Sequence, residues 1–298
     1  MYYGLIMLSV VMFGGCFALS DVYRKMRGSS IKISMESSVV GALAALVIMV
    51  CISGFSIEIT GFTLIMAFFA ALNGMLFTFC TFRALDYINL SLYSLFSMLG
   101  GMLLPFFQGI LLYGEKFTPP KIVCVIFICA ALALTFEGGA KKSGAIFYVG
   151  VFVLNGMSGV LTKIFTTADF PKTSAASYSA LSSICAIIMS GIVLLVLVVT
   201  DKRRQGVSTG GVTVPKKTLL KSYGIVVLKG GISRVANYIL VFSLAFVDAS
   251  IQYPMVTGGT MIVTTLLCFL GDRKPSKKEI ISTLLAFVGL LVLFIAPA

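Results

Sequence analysis

The sequence predicts an all-α integral membrane protein of ten transmembrane helices, built as two inverted repeats of five. Three observations predict it. Ten apolar runs fill almost all of the 298-residue chain. Charged residues make up only 11% and apolar residues 58%, whereas a soluble domain carries about 25% and about 50%. The lysines and arginines lie almost entirely between the runs. About 20 apolar residues cross a hydrocarbon core of about 30 Å as a helix. Strands of a barrel would instead alternate in polarity over about ten residues, and these runs do not.

In the first half the runs cover about 3–22, 34–54, 61–84, 89–112 and 119–137. The first is closed by Asp21, Arg24, Lys25 and Arg27, and the second opens after Lys32. Arg83 and Asp86 close the third, and only a short turn separates it from the fourth. Pro119 opens the fifth and Glu137 closes it. In the second half the runs cover about 144–166, 174–200, 221–246, 249–270 and 278–296. Lys141 and Lys142 precede the sixth, Lys172 the seventh, and Asp248 the ninth. Lys277 and Lys278 precede the tenth. No basic stretch precedes the first run and no small-residue cleavage site follows it, so it is expected to be a retained span. The repeats divide as 1–140 and 141–298, with one hydrophilic linker at 201–220 containing Lys202, Arg203, Arg204 and Gly210-Gly211.

The net charge of +12 does not indicate nucleic acid. Its basic residues are short loop clusters flanking spans, which set topology and meet lipid headgroups. The seven cysteines form no C-x-x-C pair and read as small buried hydrophobes. There is no histidine, which removes the commonest metal ligand and general base. No metal, cofactor or catalytic residue is expected. No P-loop pattern is present to bind ATP.

The chain repeats itself. Gly114-Glu115-Lys116-Phe117-Thr118-Pro119 follows the fourth run, and Gly271-Asp272-Arg273-Lys274-Pro275-Ser276 follows the ninth. Each of those runs comes after a very short turn, Phe82 to Tyr87 in one half and Phe242 to Asp248 in the other. Five spans per half is odd, so the second half enters the membrane inverted, which is a transporter architecture. These turns, hairpins and the five-plus-five count resemble the drug/metabolite transporter superfamily, in particular its ten-span EamA-type exporters. The resemblance covers essentially the whole chain. It implies one bundle around a central cavity and alternating access by rocking of the halves; the chain is expected to function as a monomer. It leaves the substrate open.

Seventeen basic residues fall in odd-numbered loops and four (Lys116, Lys121, Lys163, Lys172) in even ones. The positive-inside rule then places the odd loops in the cytoplasm of a cell-membrane protein and both termini outside. The family resemblance implies cytoplasmic termini instead.

Two basic residues remain, Lys229 and Arg234, both within the eighth run. A charge at the bilayer centre costs about 2.5–3.5 kcal/mol, so it faces a cavity or a partner. Helical spacing groups Lys229, Ser233 and Asn237, and Arg234 with Asn237 and Tyr238, into one polar strip. Arg234 is expected to bind a carboxylate or phosphate of the substrate, with Asn237 orienting it. Lys229, nearer the basic side, is expected to snorkel there. Asn73, Asn155, Gln108 and Gln252 lie at mid-span and either line the cavity or bond between helices. Tyr93, Tyr238 and Tyr253 either stack on a substrate or pack, and Phe13 and Phe17 either form a wall or fill the core. Among these, Arg234, Asn237, Asn73, Asn155, Tyr93, Tyr238 and Gln252 are the candidate substrate-binding residues. Pro105 and Pro254, in matching runs, are hinge candidates. Gly100-Gly101 and Gly258-Gly259 are suited to close helix contact. All eleven acidic residues sit at run ends or in loops, so the embedded carboxylate of a proton-coupled cation exporter is missing. Glu115 and Asp272 are expected to cap the helices that follow them.

The expected function is a secondary transporter, an exporter, of a small polar metabolite bearing a carboxylate or phosphate, an amino acid first among them. A flippase for a phospholipid or lipid-linked headgroup is the alternative. An intramembrane enzyme is remote: Gly156-Met157-Ser158-Gly159 matches a rhomboid-type G-x-S-G, but such a serine needs a histidine base. A channel would want rings of charge or carbonyl filters, which are absent. The charge bias makes one direct prediction. A reporter that is active only in the cytoplasm, fused after residue 298, stays inactive; activity there would overturn the orientation.

Overall fold

The computed structural model describes residues 2–113, 118–137, 144–204, 216–244, 246, 249–271 and 274–295. They form ten α-helices: α1 (Tyr2–Arg27), α2 (Ile31–Ile52), α3 (Gly61–Tyr87), α4 (Leu90–Tyr113), α5 (Pro119–Glu137), α6 (Ala145–Thr167), α7 (Ala175–Arg204), α8 (Lys216–Leu244), α9 (Ala249–Phe269) and α10 (Lys277–Ile295). Six of them, α1–α4, α6 and α7, are long and apolar enough within the described residues to cross a membrane. The protein is an all-helical, membrane-embedded chain. The Gly-Glu and Gly-Asp turns at 114–117 and 272–273, with Glu115 and Asp272, lie outside the described residues.

Polar side chains start the helices where the backbone donors of a first turn need acceptors. Ser30 caps α2 through Ile33 N at 3.3 Å, and Thr60 caps α3 through Thr63 N at 3.3 Å. Asn89 Oδ1 accepts from Leu92 N at 2.9 Å at the head of α4. At α10 the cap is reciprocal. Glu279 N donates to Ser276 Oγ at 3.3 Å while Ser276 N donates to Glu279 Oε2 at 2.6 Å. Gly28, at φ 91, ends α1 in the left-handed conformation that glycine adopts without a Cβ clash.

The helices alternate between two ends of the bundle. At one end Arg24 of α1 bonds Asp86 of α3 at 2.9 Å, and Asn89 bonds Glu279 of α10 at 2.7 Å. Arg27 bonds Glu36 of α2 and lies over the ring of Tyr223 in α8, and Gly144 abuts Tyr87. The described residues beside the odd-numbered connections therefore gather at this basic end. At the other end Thr173 N donates to Thr63 Oγ1 at 3.2 Å, Glu58 N to Ser177 Oγ at 3.3 Å, and Tyr2 stacks on Phe246 at 4.2 Å.

Packing in hydrocarbon gains little from hydrophobicity, so it depends on close approach. α4 is the most enclosed helix. Leu95, Leu99 and Leu103 meet Cys124 and Ile128 of α5, Met261 of α9 and Leu290 of α10, all buried. On its other side Tyr93 and Phe96 meet Tyr148 and Val151 of α6. α1 packs on α8 and α9, and α6 packs on α3 and α4; α2 lies on α7 and α8, α7 on α2 and α3. α4 with α9 and α5 with α10 complete the bundle.

Two expectations are corrected. α7 runs to Arg204 and α8 starts at Lys216, so the ends of the expected linker at 201–220 are helical. Lysine and arginine are good helix formers, and a long helix can project past the hydrocarbon. The cysteines are not uniformly buried: Cys16, Cys124 and Cys268 are, but Cys51 and Cys129 are exposed. On a bundle in lipid, an exposed small apolar side chain costs nothing.

A Cβ built on Gly100 of α4 would stand 2.0 Å from the carbonyl oxygen of Phe152, and one on Gly156 of α6 would stand 2.5 Å from that of Gly100. Gly100→Ala is therefore expected to force the helices apart and cost about 1–3 kcal/mol. A lowered midpoint in a detergent unfolding assay checks this, with Gly4→Ala, where the added carbon meets nothing within 4 Å, as control.

Candidate functional site

α8 carries two cations in its central turns, Lys229 and Arg234. At 3.6 residues per turn, Lys229 and Arg234 project about 140° apart. They face different neighbours, so the single polar strip expected from spacing is divided. Lys229 turns to α1 and α3. Its ammonium lies 5.8 Å from the centre of the Phe82 ring, and Cys16 Sγ donates to its backbone carbonyl at 3.6 Å. Phe82 is itself fully buried, so the ammonium lies inside the bundle against its ring. Arg234 turns to α7, where Nη1 donates to Ser179 Oγ at 2.7 Å. Among the described residues no carboxylate pairs with it. A half-buried guanidinium with one hydroxyl partner retains donors for a planar anion.

The other candidates do not gather around Arg234. Asn237 is exposed and donates to Ser233 O of its own helix at 2.8 Å. Tyr238, one turn on from Arg234, is 52% exposed and makes no described contact with it. Asn73 is buried in α3 and holds α6, donating to Leu154 O at 2.9 Å and Ser158 Oγ at 2.8 Å. Its Oδ1 is buried without a hydrogen-bond partner. Asn155 holds α6 to α4, donating to Ser97 O at 2.6 Å. Gln108 reaches Val160 O at 3.5 Å. Tyr93 is buried, its hydroxyl 3.1 Å from Thr81 Oγ1 and its ring edge-on to Phe17. These residues act as staples and fillers between helices. Gln252, Tyr253 and Pro254 lie in the helical backbone of α9, but their side chains fall outside the described residues. α4 continues through Pro105, against which Gly159 of α6 is set so closely that a Cβ would stand 2.4 Å from the ring.

Sequence spacing did not find the ionic lattice of the basic end. Arg24 bonds Asp21 at 2.8 Å and Asp86 at 2.9 Å, Lys25 bonds Asp21 at 3.1 Å, and Ser29 bonds Asp86. The Asp21–Arg24 step of three and the Asp21–Lys25 step of four were the signals available. Beside this lattice is a partly open cavity of about 280 Å³, lined by Asp21, Arg24, Asn89, Leu267, Cys268 and others. Above it a seam of buried hydroxyls joins α4 to α9: Ser91 to Thr265 at 2.8 Å and Ser94 to Thr264 at 2.5 Å. A second, shallower groove lies between α2, α7 and α8. Neither is lined by Arg234 or Lys229.

No protein-family model matches the chain, and no curated protein matches it. Twenty-seven chains of solved structures do. One, a crystal structure described only as that of a protein, superposes with a TM-score of 0.61 over 98% of this chain and 96% of that one, at 14% identity. At that identity the likeness is one of fold.

The two bonds from Asn73 are worth about 0.6 kcal/mol each in a membrane interior. Asn73→Ala is expected to cost about 1 kcal/mol in reversible unfolding in mixed micelles. An unchanged midpoint would contradict its place as a staple.

Proposed function

We propose that the protein is a ten-span secondary transporter of the drug/metabolite type, moving a small polar metabolite that bears a carboxylate or phosphate, an amino acid first among the candidates. The observation that carries this is the pattern of helix contacts. Advancing each helix by five turns α1 on α8 into α6 on α3, α1 on α9 into α6 on α4, and α2 on α8 into α7 on α3. The pairs α2 with α7, α4 with α9 and α5 with α10 map onto themselves. Such a relation supports two repeats of five, and the alternation of the helices between the ends supports their inversion.

Arg234 is the residue assigned to the substrate. An arginine in a span is costly unless it meets a cavity or a partner, and its described partner is a neutral hydroxyl. A substrate anion would supply the charge it lacks. The Asn89–Glu279 bond and the α4–α9 hydroxyl seam toward the basic end, and the hydroxyl contacts at the other, cross between the halves and supply the two closures that alternating access needs to open in turn. Export is the expected direction, and a cell membrane the expected location, with the basic end in the cytoplasm.

The test uses the full chain in proteoliposomes and in detergent. Amino acids, phosphorylated metabolites and nucleotides are screened for those that raise the melting midpoint, since a ligand of the folded state stabilises it. The ligands found are then assayed for counterflow. Arg234→Gln is expected to fold with a similar midpoint, to lose the ligand shift and to lose transport by more than tenfold. Undiminished counterflow in that variant would overturn the assignment.

A further inference from the structure

The shallow groove between α2, α7 and α8 is independent of that reading. It is lined by Glu36, Val39 and Val40 of α2, Leu194 of α7 and Tyr223 of α8, and it opens to the side of the bundle with about 400 Å³ of empty volume. The Arg27 contacts to Glu36 and Tyr223 fix it at the basic end. Its walls at hydrocarbon depth are aliphatic. An aromatic hydroxyl stands toward the interface, where tyrosine is at home. The surrounding medium at that depth is lipid.

Charge decides which lipid. Glu36 is the groove's one acidic lining residue, and Arg27 neutralises it. Lys216 precedes Tyr223 by seven residues, which puts both on one face of α8, about 20° apart, with the lysine about 10 Å nearer the headgroups. Lys216 is exposed and has no described carboxylate partner. A neutral groove leading to a free cation at phosphate height suits an anionic headgroup with its chain below. We propose that this groove binds one anionic phospholipid of the basic-side leaflet, an acyl chain against Val39, Val40 and Leu194 and the phosphate at Lys216.

Native mass spectrometry of the purified full chain tests this with phosphatidylglycerol, phosphatidylcholine and soluble glycerol phosphate as probes. One phosphatidylglycerol is expected to bind more tightly than phosphatidylcholine, and glycerol phosphate not to compete. Lys216→Gln should weaken phosphatidylglycerol about fivefold, the effect of one lysine at an anionic surface, and leave phosphatidylcholine unchanged. Lys221→Gln, about 160° round the helix from Tyr223, should change neither. Val40→Phe should fill the groove and weaken both lipids; Leu194→Phe serves the same purpose if that variant does not accumulate. Equal binding of the two lipids, equal effects of the two lysine variants, or competition by glycerol phosphate would each overturn the proposal.

Discussion

The bundle depends on how closely its helices can approach where hydrophobicity gives them no reason to. In hydrocarbon, side chains lose little by facing lipid, so association has to come from contact and from polar bonds. The contact of α4 with α6 shows what that requires. Gly100 lies under the Phe152 carbonyl, and Gly156 lies under the Gly100 carbonyl, with no room for a methyl group on either. The equivalent pair five helices on, α9 with α1, uses the same device. Gly14 is pressed by Val263 and Gly259 by Val10. With these two crossings set, α4 and α9 come face to face and their hydroxyls interlock at Ser91–Thr265 and Ser94–Thr264.

Close approach also explains why most mid-span polar residues leave no room for a ligand. Once α6 lies against α3 and α4, the amides of Asn73 and Asn155 are within reach of its backbone and of Ser97's. A buried amide left unpaired costs more than the bond itself gains, so these contacts are held. The same reasoning separates Arg234 from the rest. Its only described bond is to Ser179, a partner without charge, and a guanidinium is poorly served by that alone.

The architecture was largely legible in the sequence, because length and apolarity are properties of each helix alone. The ten runs match the ten helices, with ends displaced most at α1, α7 and α8, where lysine and arginine continue the helix that hydropathy had closed. The small glycines at Gly100 and Gly259 were legible as contact points for the same reason. The site was not. Spacing tells which residues share a face of one helix, and so it grouped Asn237 and Tyr238 with Arg234. It does not tell which helix that face meets. Ser179, the partner of Arg234, lies 55 residues away, and Asp86, the partner of Arg24, lies 62 away. Those distances in sequence are closed only by the fold.

The charge bias between loops has a structural counterpart that the count alone did not suggest. At the basic end Asp21, Glu36, Asp86 and Glu279 are all engaged with residues of the odd-numbered connections or of the helix ends beside them. The carboxylates therefore reduce the net positive field while tying α1 to α2 and α3, and α4 to α10. Among the described carboxylate bonds, the one that crosses from the first five helices to the second is Asn89–Glu279, a neutral donor on a charged acceptor. The stronger ion pairs stay within the first five. If the halves move against each other as proposed, the lattice lets α1–α3 travel as a unit. The hydroxyl seam of α4 and α9, the Asn89 bond and the Arg27–Tyr223 contact are then among the contacts that must part at this end. Bonds between neutral hydroxyls are weaker than ion pairs and re-form without a change of protonation. That is a suitable chemistry for a contact made and broken in every cycle.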